Sequence, residues 1–424
     1  MTATGRREFL VRYAIETPEP LEKTAEVIAG EQSSGTFLAI AGETDELKAR
    51  ARARVVRVEP TDDRAEPTLF SAQTGRRKRT GPFHRGMVEI AFPVDNVGPN
   101  LPALMTTIAG NLFELGELTG IRLIDFDLPD DYARSFPGPQ FGIAGTRARA
   151  GVAKGPVVGT IIKPSIGLTP AETADLVDKV CAAGIDFIKD DELIANPPYA
   201  PFAERVRAVM PVIERHADRL GRKPMMAFNI TGGIDEMRRH HDLVVEAGGT
   251  CVMVSLNWIG LAALDHLRSY GAVPIHGHRN GWGLFTREPS LGFAFTAYQK
   301  LWRLAGVDQL HVNGIRNKFW EPDETVIASA RSCLAPFAGV MPVMPVFSSG
   351  QSAGQAPETY AALGSTDLMF MAGGGIIGHP GGIAAGVASI REGFEAAAQG
   401  VDLRAYARTH PALQQALDAF GGAA

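Results

Sequence analysis

The sequence predicts an α/β protein, a closed (β/α)8 barrel of the TIM type preceded by a smaller α+β domain. From Gly155 onward, a short apolar run ending in polar or glycine residues recurs eight times, each followed by a helical stretch. Fully buried strands alternating with helices make a parallel sheet, and eight such units in about 250 residues match the size at which the sheet closes on itself. No strand-to-helix GxGxxG opens the series, which weakens the alternative of an open, doubly wound sheet. Residues before about 140 follow another pattern, so the domains are expected at 1–139 and 140–424.

In the first domain, Phe9–Glu16 alternates apolar and polar residues, as a half-buried strand does. Pro20–Ala29 reads as an amphipathic helix stopped by Gly30. Strands are expected at Thr36–Ile40, Arg54–Val58, Met87–Phe92 and Ile121–Phe126, with a helix over Leu101–Leu115. Asp62–Arg85, which carries Arg76-Arg77-Lys78-Arg79, reads as a solvated loop. The barrel strands are expected at Val157–Lys163, Phe187–Glu192, Pro224–Thr231, Cys251–Asn257, Val273–Arg279, Gln309–Asn313, Pro342–Ser348 and Leu368–Gly374. Between the first two, Thr169-Pro170-Ala171-Glu172 opens a helix reaching Ala183. Leu403–Phe420 reads as a closing helix.

Composition narrows the function. A net charge of −5 implies no general affinity for nucleic acid. Cys181, Cys251 and Cys333 form no CxxC pair, which fits a reducing cytosol and argues against a disulfide framework or a structural zinc site. No apolar run follows the basic residues of Met1–Arg7, so no signal peptide is expected. The uncharged stretches near Ser332–Pro357 and Leu368–Ile390 are broken by proline and glycine, so no membrane span is expected.

In a barrel of this kind the chemistry sits at the C-terminal ends of the strands. Here those ends carry Lys163, then Lys189-Asp190-Asp191-Glu192, Asn229 and Thr231, His276, His278 and Arg279, His311 and Asn313, Ser348-Ser349-Gly350, and Gly373-Gly374-Gly375. A single strand-end histidine is usually structural, but so many polar ends converging on one rim point to a site. Strand alternation puts Lys189 and Asp191 on one face, and Glu192 joins them only if the backbone leaves strict alternation. Two carboxylates suit Mg2+ but leave its oxygen shell short, and Lys189 helps only if modified or paired with the acids. The glycine turns after the last two strands suit phosphate, with a tight turn as the simpler reading. Lys163 and Lys318 are candidate proton or oxyanion groups, with surface charge as the alternative.

Together these residues resemble the large subunit of RuBisCO, and more closely the RuBisCO-like proteins that do not fix CO2. The resemblance covers nearly the whole chain and rests on Gly30-Glu31-Gln32-Ser33-Ser34-Gly35-Thr36-Phe37, Gly110-Asn111, Ile162-Lys163-Pro164, Asp186–Glu192, His276-Gly277-His278-Arg279, His311, Lys318, Ser348-Ser349-Gly350 and Gly373–Pro380. It implies that Lys189 reacts with CO2 to give a carbamate that binds Mg2+ beside Asp191 and Glu192. It implies that Lys163 lies next to the enolising carbon. His278, Arg279 and His311 would orient the substrate and bind its second anionic group. Lys318 would lie at the tip of a mobile loop and contact the substrate carboxyl group. Ser348, Gly350, Gly373 and Gly374 would contact substrate and phosphate. Glu31, Thr36 and Asn111 would enter the site of a neighbouring subunit, which implies at least a homodimer.

The departures are informative. The family's Lys-Pro-Lys is Lys163-Pro164-Ser165 here, Phe37 stands where tryptophan is usual, and the loop around Lys318 is bulkier. Loss of a second catalytic lysine argues against ribulose-bisphosphate carboxylation while leaving Mg2+-enolate chemistry in place. Of the activities the resemblance offers, the leading one is carboxyl transfer with hydrolysis, or decarboxylation, of the β-keto acid 3-oxo-isoapionate 4-phosphate. The alternatives are a methionine-salvage enolase or isomerase acting on 2,3-diketo-5-methylthiopentyl 1-phosphate or a related compound, and a non-catalytic relative that binds a phosphorylated ligand.

Overall fold

The computed structural model describes residues 6–35, 40–71 and 81–421. The chain packs as two units. One comprises residues 1–137, 281–304 and 336–340, and the other 138–280, 305–335 and 341–424. The first unit therefore takes two segments from beyond position 139, where the sequence pattern places its only boundary.

The first unit is built on β1 (Glu8–Thr17), β2 (Arg54–Arg64), β3 (Phe83–Pro93) and β4 (Gly120–Asp127). β1 is central and antiparallel to both β3 and β4. Its alternation buries Phe9, Val11, Tyr13 and Ile15 on the core face. β2 lies at the sheet edge, where Pro60 is tolerated beside an irregular register. It runs on to Arg64, and β3 begins at Phe83, so both ends of the expected Asp62–Arg85 loop are strand. Arg76–Arg79 and most of the Thr36–Ile40 run lie outside the described residues. The first helix, Leu21–Glu31, passes Gly30 by one residue. The expected helix over Leu101–Leu115 divides at Gly110 into Leu101–Ala109 and a 3-10 turn, Asn111–Glu114.

The second unit holds an eight-stranded closed barrel. In chain order its strands are β5 (Val157–Ile161), β6 (Phe187–Lys189), β7 (Met225–Asn229), β8 (Cys251–Ser255), β9 (Ile275–His278), β11 (Gln309–Asn313), β12 (Met344–Phe347) and β13 (Met369–Met371). The intervening β10 (Leu291–Phe293) instead pairs parallel with β4 in the first unit. All neighbouring barrel strands run parallel.

Valine, methionine, phenylalanine and alanine fill the barrel core, including Val157, Phe187, Met225, Met253, Met344 and Met369. A Cβ on Gly159 would collide with the Met371 sulfur, so a glycine is needed there. The helix after β5, Pro170–Ala182, begins with a capping box between Thr169 and Glu172. The closing helix is two helices, Leu403–Ala407 and Pro411–Phe420, because a proline cannot continue a helix but suits the start of one. Among the described residues no helix is long and apolar enough to cross a membrane.

Candidate active site

Period-two alternation carries the inward face of each strand from core to mouth. On β6 it leads from Phe187, packed in the core, to Lys189. On β9 it leads to His276 and His278, on β11 to Gln309, His311 and Asn313, and beyond β12 to Ser348.

Two lysine–carboxylate pairs stand side by side at this mouth. Lys163 Nζ donates to Asp191 Oδ2 at 2.6 Å and to Ser165 Oγ at 2.6 Å. Ser165 is thus engaged by Lys163. Lys189 is 1% exposed, and its Nζ donates to the Asp190 carbonyl at 3.0 Å and Glu192 Oε2 at 3.3 Å. β6 ends at Lys189, and the Leu193 N–H bonds back to Asp191 Oδ1, so the chain leaves strand geometry and Glu192 reaches the same mouth as Asp191. Asn229 holds this turn by donating from Nδ2 to the carbonyls of Asp191 and Glu192.

Burial pushes the Lys189 ammonium pKa down, although Glu192 and Asp191 act to raise it. Burial also opposes ionisation of Glu192, but its neighbours His278 and Lys189 outweigh it and its pKa is lowered. His278 is pushed down to about 4, by burial first and then by Lys189. Its Nδ1 accepts from the Asn280 N–H, so in the neutral ring Nε2 carries the proton, 3.5 Å from Glu192 Oε2.

Behind these groups a hydrogen-bond chain crosses the barrel interior. Gln309 Nε2 donates to Thr146 Oγ1 at 3.2 Å, which leaves Gln309 Oε1 to accept from His276 Nδ1 at 2.8 Å. His276 Nε2 must then accept from His311 Nε2, also at 2.8 Å, and His311 Nδ1 accepts the Ser348 hydroxyl at 3.0 Å. Every member has one consistent proton assignment when both histidines are neutral. Their pKa values agree with that, since burial first and nearby positive groups second push His276 to about 3 and His311 well below its ordinary value.

The loop after β11 brings Lys318 to this side of the barrel. Its N–H faces the Ser349 carbonyl at 3.4 Å, and a Cβ on Gly350 would lie 3.5 Å from Lys318 Cβ. Asn313 and Ser349 both have left-handed backbone, with φ of 75° and 74°, unusual for residues other than glycine and typical of functional turns. Gly373 lies beside Lys163, where an added Cβ would sit 3.9 Å from Lys163 Cε, while a Cβ on Gly374 would meet nothing within 4 Å. Arg279 pairs with Glu321.

Glu31 and Asn111 belong to the other unit. Gln32 links their elements: with its amide turned to satisfy both ends, it donates to the carbonyls of Thr106 and Thr107 and accepts from the Leu112 N–H. Thr36 lies outside the described residues.

The sequence reading did not assign roles to Asn229, His276, Gln309 or Glu321. The first two were visible as polar strand ends. Gln309 stands at a strand start and Glu321 on a loop, and neither position carries a signal by itself.

Among the described residues no three His, Cys, Asp or Glu side chains lie close enough to hold a metal. Asp191 and Glu192 supply two oxygen donors, so an Mg2+ site here needs a third group. Lys189 fits that need. Its amine is buried beside both acids, and burial lowers its pKa, which brings the neutral form that reacts with CO2 nearer than in an exposed lysine. In the structure, the ammonium groups of Lys163 and Lys189 supply the positive charge beside the two carboxylates.

Comparison with known proteins places this geometry in context. Residues 142–420 match the model of the ribulose bisphosphate carboxylase large chain, catalytic domain, and residues 3–132 match that of its N-terminal domain. The chain is 56% identical to a 3-oxo-isoapionate-4-phosphate transcarboxylase/hydrolase of Xanthobacter autotrophicus, over 96% of this chain and 97% of the relative. It is 46% identical to a 3-oxo-isoapionate-4-phosphate decarboxylase of Rhizobium rhizogenes, over 97% and 98%. The crystal structure of a rubisco-like protein from Burkholderia fungorum superposes with a TM-score of 0.93 at 48% identity, covering 97% of this chain and 99% of that one.

Proposed function

The chain belongs to the ribulose bisphosphate carboxylase large-chain family, and from that premise we propose that it is a 3-oxo-isoapionate-4-phosphate transcarboxylase/hydrolase. The observation that carries this reading is the Lys163–Ser165–Asp191 cluster. One lysine remains beside the acids at the position expected to handle the enolising carbon. The second is replaced by a hydroxyl that the first lysine already engages. That arrangement retains proton handling next to a keto group and lacks a group carboxylation of ribulose bisphosphate uses. The 56% identity to the transcarboxylase/hydrolase points the same way.

Asp191, Glu192 and a carbamate on Lys189 would hold Mg2+. The carbamate would form by attack of the neutral Lys189 amine on CO2, making a C–N bond and releasing a proton. Bound there, Mg2+ supplies a Lewis acid for the substrate's keto group. The chain's own residues do the rest. Lys163 moves a proton at its Nζ, with Asp191 holding that nitrogen in place. His278 presents a fixed Nε2–H beside Glu192. Lys318, on the exposed loop, supplies the positive group over the migrating carboxylate. Backbone N–H groups at Gly350, Gly373 and Gly374 take the phosphate, and the neutral His311–Ser348 pair takes a substrate hydroxyl. Glu31, Thr36 and Asn111 of a second copy complete the site in a homodimer.

The test is to incubate the purified protein with Mg2+, bicarbonate and 3-oxo-isoapionate 4-phosphate and follow products by NMR. Formation of 3-phosphoglycerate and glycolate is expected. Release of CO2 with a ketose phosphate would instead make it the decarboxylase. No turnover by carbamylated, metal-loaded protein would remove this substrate from the account.

A further inference from the structure

The corner of the mouth between the ends of β9 and β11 contains an anion of its own. Arg279 donates to Glu321 Oε2 at 2.5 Å and lies 3.4 Å from Oε1. Asn313 Nδ2 donates to the same Oε2 at 3.0 Å. Arg279, Glu321 and Asn313 are 7%, 5% and 5% exposed. Glu321 is held in place from its own loop as well, since Asn317 Nδ2 donates to its carbonyl at 2.9 Å. It is therefore a built-in counter-charge and not a passing surface acid.

We propose that Glu321 is a specificity-determining residue that takes, from within the chain, the place a second phosphate of a bisphosphate substrate would occupy, restricting the site to substrates with one phosphate. The inference rests on the reading above, that this barrel mouth is where the phosphorylated substrate binds, and on the expectation that Arg279 would face a second anionic group.

Charge balance is the first ground. Arg279 is the residue expected to receive a second anionic group, and its charge is matched by a buried carboxylate. A phosphate dianion entering this corner would face Glu321 as a like charge. Drawing Arg279 away would leave Glu321 buried without its counter-ion, which is far costlier than leaving the pair intact. Hydrogen bonding is the second ground. Asn313 Oδ1 is buried with no partner among the described residues, on a backbone held at φ 75°. A buried acceptor with spare capacity suits a hydroxyl donor and repels a phosphate oxygen. This end of the mouth is thus built for a neutral, hydroxyl-bearing end of the substrate, while the single phosphate goes to the glycine turns after β12 and β13.

The test is calorimetric binding of ribulose 1,5-bisphosphate and ribulose 5-phosphate to the full-length wild-type protein and to Glu321→Gln, with Mg2+ and bicarbonate present. The wild type is expected to hold the bisphosphate no more than about threefold tighter than the monophosphate. In Glu321→Gln the bisphosphate should gain about tenfold or more, with the monophosphate changed by less than about threefold. Wild-type preference for the bisphosphate by about tenfold or more overturns the proposal, as does a variant that treats the two ligands as the wild type does. Should Glu321→Gln not fold, the wild-type ratio decides alone. Because the readout is binding, failure to turn over 3-oxo-isoapionate 4-phosphate does not count against it, and its own failure leaves the activity assay unaffected.

Discussion

Asp190 and Asp191 are adjacent in sequence, equally buried and each paired with a cation, yet they serve opposite sides of the barrel wall. Asp190 points outward to Arg205 at 3.0 Å, both side chains 1% exposed. It also accepts the Asn229 N–H, while Arg205 donates to the carbonyls of Ala195 and Ala200 and lies over the Phe202 ring. Asp191 points inward to Lys163, whose side chain is 39% exposed. The first pair is sealed and ties the β6 turn to the surrounding helix layer. The second has one open member, so its cation can move and its carboxylate can change partners. The difference teaches that two equally buried carboxylates are told apart by whether the partner is able to leave, and on the proposed function Asp191 is the one that acts.

The sharpest break in that comparison comes from Lys189→Ala. Turnover should fall by more than about 10³-fold, roughly 4 kcal/mol in the barrier, while Tm moves by only a few degrees, measured by steady-state assay and calorimetry. In the same assay, protein stripped of CO2 should regain activity on adding bicarbonate. Activity indifferent to both would remove the carbamate.

On the sealed side, Arg205→Ala should cost about 3–5 kcal/mol of stability, because Asp190 is left charged in a buried site. Urea denaturation measures it, and a loss under about 1 kcal/mol would show that Asp190 has another way to shed its charge. Next in size, Lys318→Ala should lower kcat by about 10²–10³-fold with little change in the denaturation midpoint. Intact turnover would remove Lys318 from the carboxylate.

Asn229→Ala joins the two sides, since its side chain holds the turn bearing both acids. It should cost about 1–3 kcal/mol by leaving buried carbonyls unpaired, with a loss of activity to match. The last effect is read only in acid. His276 has a folded pKa of about 3, below its unfolded value, so the unfolded chain binds the extra proton first. The stability this histidine contributes is complete above about pH 6.5 and is lost as pH falls toward its folded value, by up to about 1.4 kcal/mol per pH unit. Denaturation curves of His276→Gln should show a shallower slope over that window, and an unchanged slope would mean the ring is already protonated in the fold.

Much of this architecture was legible in the chain. Each of the eight barrel strands lies within a run read from apolar patterning, and the polar residues at their ends were visible as one rim. β10 was not, because three residues carry no periodicity and its partner β4 lies more than a hundred positions away. The breaks at Gly110 and Pro411 were written in the sequence but outweighed there by apolar periodicity on either side.

By itself, then, the sequence determined the alternation of strand and helix, the kind of side chain at each strand end and the departure at Ser165. These are local properties, because strand period, capping and residue type are set within a few positions. Only the tertiary structure decided which acid faces the mouth and which the helix layer, that Gln309 and Ser348 bracket two neutral histidines, and that Glu321 answers Arg279. Barrel closure makes neighbours of strands dozens of residues apart, and at that range a partner is chosen by geometry and the cost of burying an unpaired charge.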